Sequence, residues 1–237
     1  MPGHSQSDRF SNFSVSQNFL TSKRTIRRLI HIAGLNQDDH VVEIGAGRGH
    51  ITRELAQICE RVSAYEIDRT LAGRLYETFH YSGVHVLCRD FLMEPLPKDA
   101  PYKVFANIPF SRTTEIVRKL AAGAAPPEDA WLVMEKGAAK RFMGQPGESL
   151  ISLLLKPFFD MEIRYHFRRE DFHPAPSVDT VLFHMKRKAA PDITASQRRA
   201  YESFIRNNYG RRRCVSGETL YIQWLCLFRR SRGKRAR

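Results

Sequence analysis

Two periods of hydrophobicity alternate along this chain. Short continuous apolar runs at His40–Ile44, Val62–Tyr65, Val84–Cys88, Val104–Ala106 and Ala130–Met134 read as strands buried on both faces. Segments at helical spacing fall among them, at Ile51–Ile58, Thr70–Phe79 and Thr113–Ala122, and the Leu-rich Glu148–Phe158 follows. A first helix is expected from a Thr21 or Ser22 cap to about Ala33, stopped by Gly34. Ile26, Leu29, Ile30 and Ala33 share one of its faces, and Lys23, Arg24, Arg27 and Arg28 the other. Met161–His166 and Thr180–Met185 have no helix between them and are interrupted by Pro174 and Pro176, so an antiparallel pair at one sheet edge is expected. After Lys188 the pattern turns helical. Thr194 with Gln197 resembles a capping box, and Ala200, Tyr201, Phe204, Ile205 and Tyr209 form a stripe expected to pack on the main domain. The alternation predicts an α/β fold with a doubly wound, Rossmann-like sheet and a small basic C-terminal helical region. The expected divisions are a flexible tail at 1–12, a main domain at 13–188 and a short helical region at 189–237 whose last part, 211–237, need not be ordered.

Composition narrows the setting. The 237 residues suffice for one domain and an appendage, and 42% are apolar, enough for a real core. No apolar run approaches the ~20 residues of a membrane span. The polar start, Met1 to Asp8, lacks a signal core, so a cytoplasmic protein without a membrane partner is expected. Cys59, Cys88, Cys214 and Cys226 form no CxxC pair and read as reduced thiols, two of them buried. With no HExxH and no Cys/His cluster, no metal is expected. The net charge of +13 is concentrated. Residues 186–237 hold 15 Lys/Arg against 3 Asp/Glu, leaving 23 against 22 for residues 1–185. Such asymmetry points to a polyanionic partner, nucleic acid foremost.

Candidate chemistry collects where the strands end. Asn107-Ile108-Pro109-Phe110 follows an apolar strand. The Asn107 amide oxygen and the Ile108 carbonyl can accept two N–H bonds from an exocyclic amine, Pro109 fixes the turn, and Phe110 can stack on a base. The strand–turn–helix Val41 to His50 carries Gly45, Gly47 and Gly49 as GxGxG. A nicotinamide site would show GxGxxG and a phosphate loop GK[ST], and Glu43 before the glycines disfavours a pyrophosphate. Glu43 could instead face a cationic or hydroxyl-bearing ligand. Glu66, with Ile67 after it, ends the second strand 21 residues past Gly45, where nucleotide-binding folds grip a ribose diol. Asp90-Phe91, after the third strand, offers an acceptor for an adenine amine beside a ring. This set describes a site for an adenosine ligand without phosphates, which S-adenosylmethionine satisfies.

These motifs resemble those of the rRNA adenine N6-dimethyltransferases, and within them the Erm (erythromycin-resistance) group, over residues 10–188. Ser16-Gln17-Asn18-Phe19-Leu20 is similar to the family's N-terminal cofactor-contacting segment, and Phe172-His173-Pro174-Ala175-Pro176-Ser177-Val178 resembles its later aromatic-Pro signature. The resemblance implies a class I methyltransferase fold. It also implies cofactor contacts at Asn18, Leu20, Gly45, Glu66, Asp90 and Asn107, with S-adenosylhomocysteine as product. Phe172 would flank the target base. Small-subunit (KsgA-type) enzymes usually show Leu-Pro-Tyr where this chain has Ile108-Pro109-Phe110, and Thr113-Thr114 and Arg118-Lys119-Leu120 also look more like Erm. An Erm assignment implies methylation of one adenine of 23S rRNA, naked or in a precursor particle, by a monomer, and resistance to macrolides, lincosamides and streptogramin B. The C-terminus departs from the family: about 49 residues follow Lys188, where Erm proteins usually carry a longer helical domain.

Chemically, two acceptors on the N6 hydrogens would aim the amine's lone pair at the sulfonium methyl, and transfer would be in line, driven by orientation. No strong base is required. The base must leave its stack, held by Phe110 and Phe172. Lys23, Arg24, Arg27, Arg28, Arg112, Lys136, Lys140, Arg141 and the basic tail are the candidate phosphate contacts. A DNA adenine methyltransferase would usually carry Asp at position 107 and a recognition insertion. A non-catalytic RNA-binding relative could lose the glycine turn or Asn107, and both are intact. The GxGxG spacing disfavours a nicotinamide oxidoreductase.

Overall fold

A computed structural model describes residues 18–98, 101–122, 125–210 and 216–233, with side chains through residue 227. The tail at 1–12, Ser16, Gln17, Cys214 and the side chains of the basic terminus therefore lie outside the described residues.

A seven-stranded sheet organises the chain. In sequence its strands are β2 (His40–Ile44), β3 (Arg61–Tyr65), β4 (Val84–Leu87), β5 (Lys103–Asn107), β6 (Asp129–Glu135), β7 (Phe159–His166) and β9 (Thr180–Arg187). In space they run β4-β3-β2-β5-β6-β9-β7. The pairs β4–β3, β3–β2, β2–β5 and β5–β6 are parallel, with Val41 opposite Val62 and Lys103, and Asn107 opposite Val133. At the far edge, Phe167 N–H donates to the Thr180 carbonyl and Lys188 N–H to the Phe158 carbonyl. Chain order is thus reversed between β7 and β9, which makes them the expected antiparallel pair. The strand order turns around between β2 and β5, and a crevice opens at the carboxyl ends of strands at such a switch point.

Two compact units divide the chain: residues 1–136 with 163–184, and residues 137–162 with 185–237. In the first, α1 (Lys23–Ile32) starts at Ser22, whose hydroxyl accepts from Thr25 N–H at 3.3 Å. Its buried Ile26, Leu29 and Ile30 join one core with Val41, Leu55, Val62, Phe105 and Leu182. The helices α2 (His50–Leu55), α3 (Arg69–Phe79) and α4 (Thr113–Ala122) follow β2, β3 and β5. Pairing between β1 (Phe19–Leu20) and β8 (Phe172–His173), two residues each, was not legible in the sequence.

The second unit holds α5 (Lys136–Met143, from residue 137), α6 (Leu150–Leu155), α7 (Ala195–Asn208) and α8 (Gly217–Gly233). The expected boundary at residue 188 therefore does not coincide with this division. The Leu-rich segment expected at 148–158 shortens to α6, capped by Ser149. Tyr201 of α7 is fully buried, and its hydroxyl donates to the Leu153 carbonyl at 2.6 Å. Trp224 of α8 packs edge-on at 5.4 Å from the Tyr201 ring. The α7 stripe thus finds its partners in α6 and α8. Among the described residues, Cys59 is buried, while Cys88 and Cys226 are exposed. Of the two buried thiols expected, Cys59 is one, and Cys214 lies outside the described residues. No described helix is long and apolar enough to cross a membrane.

Candidate active site

A cleft of about 900 Å³, open mouth included, lies along the carboxyl ends of β2, β3, β4 and β5. Its lining includes Gly45 and Gly47 after β2, Glu66 and Ile67 after β3, Asp90 and Phe91 after β4, and Asn107 to Phe110 after β5. Asn18 also borders it. The four motifs singled out in the sequence therefore converge on one space, because parallel strands deliver all their carboxyl ends to one edge of the sheet.

The glycine turn is locked from two sides. Gly45 N–H and Ala46 N–H both donate to the Tyr65 carbonyl, at 2.8 and 3.0 Å. Gly47 has φ +58°, and a Cβ there would lie 2.8 Å from the Phe19 ring. Only glycine meets both demands without strain. Glu66 is buried; its Oε2 accepts Gly47 N–H at 2.7 Å and its Oε1 accepts Asp68 N–H at 2.8 Å. Each carboxylate oxygen keeps a second lone pair, so this side chain can still accept hydroxyl donors from the cleft.

Asp90 uses Oδ1 to accept Leu92 N–H at 2.9 Å, and its Oδ2 faces the Arg112 guanidinium at 3.7 Å. Phe91 is wedged between Tyr65, edge-on at 5.3 Å, and the Lys119 ammonium 5.0 Å above its ring. Lys119 also donates to the carbonyls of Leu92 and Glu94, tying this loop to α4. Burial lowers the Lys119 pKa, against the opposing pull of Asp90 and Glu94.

Asn107 Nδ2 donates to the Asn18 carbonyl at 2.7 Å. A carbonyl can only accept, so this contact fixes which end of the amide is nitrogen and leaves Oδ1 as the acceptor at the cleft. Ile108 is buried, its N–H donating to Val133 carbonyl at 3.3 Å, and Phe110 is half-buried at the start of a 3-10 turn, Phe110–Arg112.

Several expected site residues sit elsewhere. Glu43 is 1% exposed and lies off the cleft, its Oε2 accepting the Thr52 hydroxyl at 2.7 Å. Burial raises its pKa from 4.5 to about 8, the Thr52 hydroxyl opposing and Glu66 reinforcing the shift. It therefore cannot serve as a solvent-facing countercharge. Leu20 is a core residue, 2% exposed, because β1 turns it inward. Phe172 is 4% exposed and packs 5.1 Å from Phe167, again in the core rather than on the cleft. Arg112, expected as a phosphate contact, lines the cleft and bonds Glu115 at 2.9 Å. Phe19, Tyr65, Arg89, Leu92 and Ile116 also line the cleft and were not singled out. Tyr65 precedes Glu66 and Arg89 precedes Asp90, so adjacency to a strand end was the available signal.

The other expected phosphate contacts are partly committed. Arg27 bonds Glu54 at 2.5 Å, with Lys23 at 3.7 Å from the same carboxylate. Arg28 lies 5.2 Å over the Tyr165 ring, and Lys136 pairs with Asp179 at 3.4 Å. Arg24 is exposed on α1. Lys140 and Arg141 are exposed in the second unit, Arg141 stacking 5.4 Å over Phe142. Among the described residues no group of three or more His, Cys, Asp or Glu could hold a metal ion.

Comparison with known proteins agrees with this geometry. The profile of the ribosomal RNA adenine dimethylase family matches residues 9–220. An rRNA adenine N-6-methyltransferase of Limosilactobacillus reuteri is 36% identical, over 82% of this chain and 78% of that protein. Ribosomal RNA small subunit methyltransferase A of Chlorobium luteolum is 30% identical, over 87% and 75%. Among solved structures, the 23S rRNA methyltransferase ErmE superposes with a TM-score of 0.73 at 29% identity, covering 87% of this chain and 84% of that one. The seven-stranded switch-point sheet, the cleft at its carboxyl edge and a profile match over most of the chain converge. This chain belongs to the ribosomal RNA adenine dimethylase family, the S-adenosylmethionine-dependent rRNA adenine N6-methyltransferases.

Proposed function

We propose that this protein methylates N6 of one adenine in 23S rRNA and thereby confers resistance to macrolides, lincosamides and streptogramin B. The observation that carries the catalytic part is the Asn107 amide, pinned through Nδ2 to the Asn18 carbonyl with Oδ1 left at the cleft. With the Ile108 carbonyl it makes a pair of acceptors for the two N6 hydrogens. Such a pair draws electron density onto the nitrogen and orients its lone pair, and most of the rate advantage comes from that orientation. Phe110 supplies a ring for the unstacked base, worth about 1–3 kcal/mol.

The cleft fits S-adenosylmethionine by the chemistry of its donors and acceptors. Glu66 and Asp90 offer carboxylate acceptors to the ribose hydroxyls and the adenine amine, Ile67 and Phe91 offer apolar surface, and Asn18 and the glycine turn offer backbone groups. No phosphate cradle is needed. When bound, this group supplies a methyl made electrophilic by its sulfonium. The chain's own task is to exclude water and hold the amine, and the spare proton on nitrogen can leave to solvent.

The choice of 23S rRNA rests on Ile108 and Phe110 and on the ErmE likeness. The 30% identity to a small-subunit methyltransferase keeps that target as the second reading. Incubation with radiolabelled S-adenosylmethionine and separated rRNAs decides between them. Label in 23S rRNA, blocked by prior methylation at the same adenine, is expected. Label in 16S rRNA alone overturns the assignment.

A further inference from the structure

Asp171 is a buried carboxylate, 7% exposed, that no step above uses. It lies in the turn between β7 and β8. Its Oδ1 accepts the Thr25 hydroxyl at 2.6 Å and its Oδ2 accepts Arg168 N–H at 2.9 Å. Its backbone carbonyl accepts Thr21 N–H at 3.1 Å. The Ser22 hydroxyl donates to Thr25 Oγ1 at 2.9 Å, so the Thr25 hydrogen is directed at Asp171. One residue thus grips the chain at Thr21 and at the first turn of α1.

The segment so gripped is short and carries the reacting site. Asn18 stands just before β1, and its carbonyl is the acceptor that orients the Asn107 amide. A pairing of two residues, Phe19 with His173 and Leu20 with Phe172, cannot hold itself in register in water. Leu20 and Phe172 anchor it by burial, and Asp171 anchors it by hydrogen bonds. Slack at Thr21–Thr25 passes along three residues to Asn18 and lets the amide turn.

We propose that Thr25 and Asp171 are positioning residues: they latch the Asn18 segment so that its carbonyl holds Asn107 with the amide oxygen toward the target amine. The inference rests on the acceptor role assigned to Asn107. Misplacement of a reacting group by ~1 Å can cost on the order of a hundredfold in rate. Loss of the latch should therefore appear in the transfer step more than in cofactor affinity.

The test measures single-turnover methylation of protein-free 23S rRNA and S-adenosylhomocysteine affinity by calorimetry, on folded fractions of Thr25→Val, Thr25→Ser and Asp171→Asn. We expect Thr25→Val to slow transfer about tenfold or more while product affinity changes less than about threefold, with Thr25→Ser restoring the rate. Asp171→Asn, which can present an acceptor to only one of the two donors, should fall between them and decides the matter if Thr25→Val does not fold. Unchanged transfer in both variants overturns the latch. Equal loss of rate and affinity that Thr25→Ser does not restore also overturns it. An Asn107→Ala control separates the two levels: full transfer in that variant refutes the acceptor role itself, whereas a dead control beside an active Thr25→Val refutes the latch alone.

Discussion

Asn107 is where a single atom exchange is most telling. Asn107→Ala removes the acceptor, and methyl transfer should fall at least a hundredfold while cofactor affinity drops only a few-fold, measured by single-turnover kinetics and calorimetry. Asn107→Asp keeps an acceptor but loses the donor to the Asn18 carbonyl at 2.7 Å, placing two acceptors face to face. It should be nearly as inactive as the alanine variant, and near-normal rates in it would count against an oriented amide. Glu43 gives a pH signature. Its folded pKa, about 8, exceeds the ordinary 4.5 because the buried site favours the neutral acid. Its stabilising contribution is complete below pH about 4.5 and is lost as pH rises through about 8. Glu43→Gln keeps an acceptor for Thr52 and cannot ionise. Its melting temperature at pH 8 should exceed that of the parent by roughly 5 °C, with the gap closing by pH 5.

At the scale of elements, one glycine turn and one helix–helix hydrogen bond can be tested. Gly47→Ala must hold a φ of +58° and push aside the Phe19 ring. A loss of roughly 1–2 kcal/mol is expected in denaturant unfolding, together with weaker cofactor binding, since Phe19 and Gly47 both line the cleft. In the second unit, Tyr201→Phe removes the hydroxyl that satisfies the buried Leu153 carbonyl. A cost of about 1–2 kcal/mol should appear in stability. An unchanged unfolding midpoint would mean that α6 and α7 are held by apolar packing alone. The periodicity revealed α1, α3 and α4 to within about a residue, because each has one apolar face, but it carried α2 three residues too far, to Ile58 where the helix ends at Leu55. It did not show β1 and β8, since two residues carry no period.

For the whole molecule, charge is the dominant long-range property. A net charge of +13, largely in the last 52 residues, predicts rRNA affinity that weakens steeply with salt. Filter binding between 50 and 200 mM KCl should show a loss of at least tenfold, and a flat response would remove phosphate contacts from the account. The internal pairing of Arg27 with Glu54 and of Arg112 with Glu115 means that a count of cations overstates the contacts open to RNA. Arg24→Ala should therefore weaken binding more than Arg27→Ala.

By itself the sequence determined the strand–helix alternation, the glycine turn and the set of residues at four strand ends. These are local matters of period, backbone freedom and spacing, and a parallel sheet brings such ends together whatever the details. Only the tertiary structure decided the fate of Glu43, Leu20 and Phe172. Each belongs to a motif, but a side chain faces cleft or core according to the register of its neighbours, and all three turn inward. The orientation of the Asn107 amide was likewise beyond sequence reading. It depends on a carbonyl 89 residues away, a contact that exists only once β1 and β5 have been folded against one another.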